Sequence, residues 1–152
     1  MKDSKYKELI AYASSFISFI LGKIEVEEII LFGSVARGEA DKNSDVDLFF
    51  NVLNKEKEVK EILQQKLKEF QNSKINEIWL LKGISNPIKV EVGNLDKWKL
   101  KRSIISDGIV LYGKYKAIPK KNKGYTYFNL KPIKNIAKRN KIIRKLFGRK
   151  EN

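Results

Sequence analysis

The sequence predicts an α+β fold, a mixed β-sheet flanked by helices, followed by a basic C-terminal extension. Residues 5–21 and 55–71 carry apolar side chains at helical spacing. Short apolar runs bounded by turn residues alternate with such segments, as expected for the strands of one sheet. Positive charge is concentrated in residues 114–152, which hold 14 Lys and Arg against one acidic residue. We therefore predict a domain over residues 1–113 and a basic, aromatic-containing tail over residues 114–152.

The first predicted helix leads into a buried strand. The helix spans residues 5–21, and residues 27–32, of which 29–32 are apolar, then form the strand. This strand stops abruptly at Gly33-Ser34, and a short helical turn is expected to follow through Arg37.

A polar, turn-rich loop separates this turn from the second strand. Residues 38–44 form the loop, and residues 45–53 are predicted to be the strand, with Asp45 and Asp47 at its start. An amphipathic helix over residues 55–71 follows, with its apolar stripe directed to the core.

The remainder of the domain is predicted to hold three strands and one helix. Residues 75–81 and 88–92 are expected to pair as strands around a turn at residues 83–87. A helix over residues 95–106 and a short apolar strand over residues 109–112 complete the unit.

The tail combines lysines and arginines with aromatic side chains. Residues 133–147 predict a basic amphipathic helix. Aromatic rings can stack on bases while cations neutralise phosphates, which favours nucleic-acid contact. The residues predicted to make that contact are Tyr125, Tyr127, Lys131, Lys138, Arg139 and Arg144. A solvated surface helix, an acidic protein partner and an anionic membrane surface are the alternatives.

Two missing residue types exclude several chemistries. The chain has no cysteine and no histidine, which excludes disulfides, thiolate metal sites, His-ligated zinc and Ser-His-Asp hydrolysis. An enzyme built from this chain must use carboxylates, hydroxyls, Lys, Arg and a hard cation. No apolar run approaches the ~20 residues that cross a bilayer, and the N-terminal residues do not resemble a secretory signal. We therefore expect a cytoplasmic protein with no transmembrane segment.

The pattern that carries chemistry is Gly33-Ser34 at the end of one strand and Asp45-Val46-Asp47 at the start of the next. A glycine lets the backbone turn sharply near phosphate oxygens, and a hydroxyl and free N–H groups can bind an anion. Residues two apart on a strand face the same side, so Asp45 and Asp47 project together. Two carboxylates suit Mg²⁺ or Mn²⁺. Each motif alone is explained better by a turn or a solvated strand end, but together they favour phosphoryl transfer.

Residues 31–40 and 43–48 resemble the signature of the minimal nucleotidyltransferases, a family of the DNA polymerase β-like superfamily. The family pattern is a hydrophobic strand, Gly-Ser, a spacer, Asp-hydrophobic-Asp and a later hydrophobic-Asp/Glu-hydrophobic element. Residues 90–92, Val-Glu-Val, match that last element, although most relatives have Asp where this chain has Glu91. The resemblance covers roughly residues 9–113 and implies a polymerase β-like nucleotidyltransferase fold.

The resemblance also implies a role for each matched residue. Gly33 and Ser34 would bind the β- and γ-phosphates of an NTP. Asp45 and Asp47 would coordinate two Mg²⁺ or Mn²⁺ ions, and Glu91 would be the third carboxylate, helping to hold the metal and deprotonating the acceptor hydroxyl.

Two of the candidate residues have ordinary alternatives. Arg37 lies one short turn after Ser34, where its guanidinium can contact the triphosphate or pair with Glu39, and the sequence favours neither. Glu91 can also be an exposed strand carboxylate beside Lys89.

The implied reaction transfers a nucleoside monophosphate from an NTP, most commonly ATP in the family, to an acceptor hydroxyl. The basic tail favours RNA as the acceptor. Small relatives act as antitoxins that adenylylate HEPN-type toxins, so a protein acceptor stays open. A cationic aminoglycoside is disfavoured by the basic tail. A nucleotide- or nucleic-acid-binding module that kept the fold but lost catalysis is the alternative from a different functional class.

Overall fold

The computed structural model describes residues 2–99, 101–114 and 134–147. The chain divides into two compact units, Met1–Tyr115 and Lys116–Asn152. The elements of the first unit are α1 (Lys2–Ile20), β1 (Glu28–Phe32), α2 (Gly33–Ala36), β2 (Val46–Asn51), α3 (Glu56–Gln71), α4 (Lys74–Leu81), β3 (Ile88–Gly93), α5 (Lys101–Asp107) and β4 (Ile109–Gly113). No helix in the described ranges combines the length and the apolar character that a bilayer crossing requires.

The predicted α+β fold with a mixed sheet is confirmed. The strands lie in the order β3-β2-β1-β4. β1 is antiparallel to both β2 and β4, whereas β2 and β3 run parallel. The register places Phe32 opposite Asp47 on the first pair of strands. On the parallel pair, Asp47 lies beside Lys89 and Phe49 beside Glu91.

One face of the sheet carries the main core. Alternate strand residues point to the same face, so Leu31, Leu48 and Phe50 are buried together. Helices α1 and α3 cover this face with their own apolar stripes, which include Phe16 and Phe70 in an edge-to-face ring contact at 5.2 Å. The predicted helices over residues 5–21 and 55–71 are therefore confirmed as the elements that close this core.

The opposite face of the sheet is covered over only part of its length. Ile30, Phe49 and Ile104 form a second buried cluster there, against which Trp98 packs. The ring of Trp98 lies 5.1 Å from that of Phe49. Asp47 is on the same face as Phe49, two residues nearer the start of β2, so the carboxylate lies where this apolar cover ends.

The predicted strand over residues 75–81 is wrong, because this segment is helix α4. Ser73 caps it by accepting a hydrogen bond from the Asn76 backbone N–H at 3.3 Å. The buried Asn76 side chain accepts from the Tyr12 hydroxyl at 3.1 Å and donates to the Gln71 carbonyl at 2.9 Å. These polar contacts need a helix at this position, whereas a short apolar run fits either type of element. β3 consequently pairs with β2 and not with residues 75–81.

The predicted helix over residues 95–106 is divided in two. A 3₁₀ turn spans Leu95–Lys97, and α5 begins at Lys101. Trp98 is extended between them, with ψ 134°. This break directs the indole onto Phe49, and the gain in burial explains why the helical pattern is interrupted.

The second unit contains helix α6, Ile136–Phe147, within the predicted amphipathic segment. Residue 133 lies outside the described residues. Asn135 caps the N-terminus of α6, because its side-chain oxygen accepts a hydrogen bond from the Lys138 N–H at 3.0 Å. The helix therefore begins three residues later than predicted, at the point where a capping side chain is available.

Candidate active site

Asp45 and Asp47 lie at the start of strand β2. Asp47 is the second residue of the strand and is paired with Phe32, the last residue of β1. Asp45 immediately precedes the strand and is partly exposed, as is Asp47. The negative charge of Asp45 raises the pKa of Asp47, which shows that the two carboxylates lie near each other. The end of β1 and the start of β2 thus bring both carboxylates to the bend that follows Phe32.

Gly33 lies at that bend, against Asp47. Its φ of +75° is in the left-handed region that favours glycine. A Cβ added at Gly33 would be 2.5 Å from the Asp47 Oδ2 atom, which is closer than real contacts allow. The backbone conformation therefore favours glycine here, and a side chain at this position would also push the Asp47 carboxylate aside.

Negative charge accumulates around Asp47. Its pKa is raised above the ordinary aspartate value, first by partial burial and then by the negative charges of Asp45 and Glu91, while Lys89 acts in the opposite direction. Three carboxylates from β2 and β3 therefore interact at one end of the sheet. An arrangement in which like charges raise a pKa gains stability when a cation binds.

Lys89 partly neutralises the negative charge of these carboxylates. Its ammonium Nζ lies 2.5 Å from Asp45 Oδ2. The same contact raises the pKa of Lys89, through the hydrogen bond to Asp45 and the charge of that carboxylate. In the sequence, Lys89 is notable only as a neighbour of Glu91. The parallel register, which puts Lys89 beside Asp47, explains why it reaches the aspartates.

Glu91 is the most exposed of the three carboxylates. It lies beside Phe49 in the parallel ladder, one strand away from Asp47 and two residues further into the sheet than Lys89. The side chain of Glu91 has one methylene group more than an aspartate, which extends its reach from this position. The negative charge of Glu91 acts on Asp47, so it belongs to the same electrostatic group.

Ser34 lies in the short helix α2, and Arg37 directly follows that helix. Among the described residues, the Ser34 hydroxyl has no hydrogen-bond partner. No side chain caps the start of α2. Arg37 donates from Nε to Glu39 Oε2 at 2.8 Å, which is the pairing that the sequence left open as an alternative to phosphate contact.

The carboxylates are not drawn together into a metal cage. Within the described ranges, no group of three or more Asp, Glu, His or Cys side chains has the arrangement of a metal-binding cluster. The donor set itself fits Mg²⁺ or Mn²⁺, because it consists of carboxylate oxygens near a partly buried aspartate.

A cavity of about 370 Å³ lies elsewhere in the first unit. It adjoins the start of β1 and the end of β2, and its lining includes Glu27, Val52 and Lys55. The carboxylates lie at the other end of the same strands. This cavity therefore takes no part in the arrangement around Asp47.

The six predicted nucleic-acid-binding residues are only partly within the structure. Tyr125, Tyr127 and Lys131 lie outside the described residues. Three others, Lys138, Arg139 and Arg144, are exposed on α6. Their contact with nucleic acid stays a prediction.

Comparison with known proteins identifies one matching family. The family described as "Nucleotidyltransferase domain" matches residues 13–111. No curated protein matches the chain. A solved structure described as "Crystal structure of the toxin-antitoxin with AMP-PNP" is similar, with 22% sequence identity and a TM-score of 0.45. That alignment covers 66% of this chain and 73% of the other.

Proposed function

The chain belongs to the nucleotidyltransferase domain family, and from that premise we propose that it transfers AMP from ATP to an acceptor hydroxyl and releases pyrophosphate. The observation that carries this proposal is the close approach of the Asp47 carboxylate to Gly33, which brings the bend after β1 next to a group of carboxylates. A phosphate held at the bend would lie beside any cation held by Asp47. Phosphoryl transfer requires both groups side by side.

Asp45, Asp47 and Glu91 are the residues that would hold two Mg²⁺ or Mn²⁺ ions. Bound divalent ions neutralise the charge that develops on the attacking and leaving oxygens during transfer. The raised pKa of Asp47 supports this assignment, since the site has an excess of negative charge in the absence of a cation. Glu91 is exposed to solvent and near this group, which suits it to accept the proton of the acceptor hydroxyl.

Gly33 and Ser34 would bind the phosphates of ATP or another NTP. The backbone at Gly33 has no Cβ to obstruct an approaching oxygen, and the Ser34 hydroxyl is available to donate. Arg37 would contact the triphosphate only after leaving Glu39, with which it forms an exposed ion pair. Exposed pairs of this kind contribute little to stability, so the exchange costs little.

RNA is the acceptor that the charge distribution supports. Helix α6 presents exposed Lys138, Arg139, Lys141 and Arg144 and contains no acidic residue. A helix of this charge attracts a polyanion and would hold its phosphates near the protein. The RNA 2′- or 3′-hydroxyl would then be the group that receives AMP.

A protein acceptor is the second candidate, as in an antitoxin that adenylylates a HEPN-type toxin. It is favoured by the surface of α4, where four large apolar side chains are 41–83% exposed. These residues are Ile75, Ile78, Leu80 and Leu81. Exposed apolar side chains grouped on one helix are typical of protein contact surfaces. An acidic partner for the basic tail belongs to the same hypothesis.

Transfer of label from each α-³²P NTP into cellular RNA and protein tests the proposal. We expect Mg²⁺-dependent labelling that is strongest with ATP and is lost in Asp45→Ala/Asp47→Ala. Label in RNA supports the first acceptor and label in protein the second. Labelling that persists in the double variant would show that these carboxylates do not catalyse transfer. Absence of label in both fractions would contradict the enzymatic role itself.

A further inference from the structure

Asn86 is one of two buried polar side chains in the described part of the chain, and it faces the loop that leads to Asp45. It is 3% exposed and lies between α4 and β3. Its Nδ2 group faces three backbone carbonyl oxygens of that loop: Ser44 at 2.8 Å, Lys42 at 3.3 Å and Asp41 at 3.5 Å. Converging carbonyl oxygens repel one another, and an amide donor between them offsets that repulsion.

The loop also forms hydrogen bonds within itself. Asp41 Oδ1 accepts from the Asn43 N–H at 2.8 Å and from the Ser44 hydroxyl at 2.9 Å. The Ser44 hydroxyl oxygen in turn accepts from the Asp41 N–H at 2.8 Å. Residues 41–44 therefore form one compact turn, and Asn86 binds that turn as a whole.

The residues on both sides of Asp45 are hydrogen-bonded to the Asn86-Pro87 dipeptide. The Ser44 carbonyl, just before Asp45, accepts from Asn86 at 2.8 Å. The Val46 N–H, just after Asp45, donates to the Pro87 carbonyl at 2.8 Å. Asp45 itself precedes the β2–β3 ladder, whose first pair is Val46 and Ile88. Its backbone is consequently held on the β3 side by these two hydrogen bonds, outside the regular sheet.

We propose that Asn86 is a positioning residue that fixes the Asp45 carboxylate for cation binding. This inference rests on the proposed function, because it assumes that Asp45 binds a divalent cation. Without the Asn86 amide, residues 41–44 lose their anchor and Asp45 loses one of its two flanking hydrogen bonds. The Asp45 carboxylate then samples positions away from Asp47, and cation binding has to restrict it again. Residues that orient metal ligands in this way typically change metal affinity by about 10- to 100-fold.

Asn76 provides a matched control for a purely structural role. It is also buried, at 6% exposure, and its Nδ2 donates to a backbone carbonyl, that of Gln71. It lies in α4, hydrogen-bonded to Tyr12 of α1, and its hydrogen bonds within the described residues do not involve the loop before Asp45. Asn86→Ala and Asn76→Ala therefore remove the same chemical group from two buried sites, only one of which flanks a carboxylate.

The experiment is a Mn²⁺ titration followed by electron paramagnetic resonance, on full-length proteins whose folding is checked by circular dichroism. We expect both alanine variants to melt at lower temperature, and only Asn86→Ala to bind Mn²⁺ about 10- to 100-fold more weakly. Asn86→Ser is a milder variant that covers the case in which Asn86→Ala does not fold. It retains a donor of shorter reach and is expected to give a smaller loss in the same direction.

Two outcomes would overturn the positioning role while leaving the proposed function intact. One is wild-type Mn²⁺ affinity in folded Asn86→Ala or Asn86→Ser. The other is an equal loss of affinity in Asn76→Ala, which would indicate a general effect of destabilisation. Failure of the wild-type chain to bind Mn²⁺ is a different result, since it contradicts the proposed metal-dependent function from which the inference proceeds.

Discussion

Lys89 Nζ lies 2.5 Å from Asp45 Oδ2, so an ammonium from β3 neutralises a carboxylate that we assign to cation binding. A divalent ion that binds Asp45 either displaces this ammonium or shares the carboxylate with it, and in both cases the ammonium opposes the ion. The pair is substantially exposed, with 61% of the Lys89 side chain and 32% of the Asp45 side chain accessible. Its contribution is therefore in the range of surface pairs.

Removing this ammonium is expected to strengthen metal binding. We predict that Lys89→Met binds Mn²⁺ about two- to fivefold more tightly than wild type, the small effect expected of an exposed ion pair. Lys89→Arg preserves the charge and should stay near the wild-type value. Mn²⁺ titration of the three proteins provides the measurement. Weaker binding by Lys89→Met would mean that Lys89 supports the metal site and does not compete with the ion.

Alanine substitutions at Gly33 and Gly38 distinguish backbone strain at a positive φ from a contact with the Asp47 carboxylate. Their φ values are +75° and +71°, but only at Gly33 would a Cβ meet the Asp47 carboxylate. We predict that Gly33→Ala and Gly38→Ala each lose roughly 1–2 kcal/mol of unfolding free energy, from backbone strain alone. Only Gly33→Ala should also lose transfer activity and Mn²⁺ affinity. Urea unfolding and Mn²⁺ titration measure the two quantities, and equal binding by both variants would disprove the role of the contact.

The raised pKa of Asp47 makes its ionised form unfavourable for folding. A carboxyl with a raised folded-state pKa adds stability below its unfolded-state pKa and loses that contribution as pH rises through the folded-state pKa. At pH 7 without divalent ions, Asp47→Asn should therefore melt at higher temperature than wild type, while its transfer activity falls by at least about 100-fold. The difference in melting temperature should disappear as pH falls below the ordinary aspartate value of 3.8.

The pKa of Asp41 is shifted in the opposite direction, so this residue serves as the control. Hydrogen bonds from the Asn43 N–H and the Ser44 hydroxyl lower its pKa, so its ionised form stabilises the fold above the ordinary value. Asp41→Asn should melt at lower temperature than wild type at pH 7 in the same chelating buffer. Thermal melts of both variants between pH 3 and 7 test the signs. A lower melting temperature for Asp47→Asn would contradict the raised pKa.

The basic face of α6 predicts a salt-dependent contribution to RNA binding. Replacing Lys138, Arg139 and Arg144 with glutamine should weaken binding of single-stranded RNA. The slope of log affinity against log salt should fall by about 0.7 for each phosphate contact removed. A triple glutamine variant of Lys57, Lys60 and Lys68, which are exposed on α3, makes the same change in charge elsewhere. Fluorescence anisotropy with labelled RNA compares them, and identical slopes would remove the support for an α6 contact.

The sequence predicted those parts of the site that depend on local geometry. Strand periodicity placed Asp45 and Asp47 on one side, and the Gly-Ser pair indicated the bend beside them. The positions of Lys89 and Asn86 depend on the parallel register of β2 and β3. That register is a long-range choice, which local patterns do not contain.

The incorrect prediction of a strand over residues 75–81 also hid the position of Asn86. A strand over residues 75–81 would have made residues 83–87 a hairpin turn, with Asn86 as an ordinary turn residue. The helix instead makes residues 82–87 a connection from α4 to a parallel strand. The buried contacts of Asn76 with Tyr12 and Gln71 decide in favour of the helix, and one of them joins residues 64 positions apart. Only the folded chain brings those groups together.

Isothermal titration of Mg²⁺–ATP into the wild-type chain and into Asp45→Ala/Asp47→Ala tests the central assignment most directly. The arrangement of two aspartates beside the Gly33 bend predicts that the wild type binds and that the double variant binds at least about tenfold more weakly. Circular dichroism of both proteins verifies that the comparison is between folded chains. Equal affinity in the two proteins would contradict the assignment, because the nucleotide and its cation would then be bound without these carboxylates.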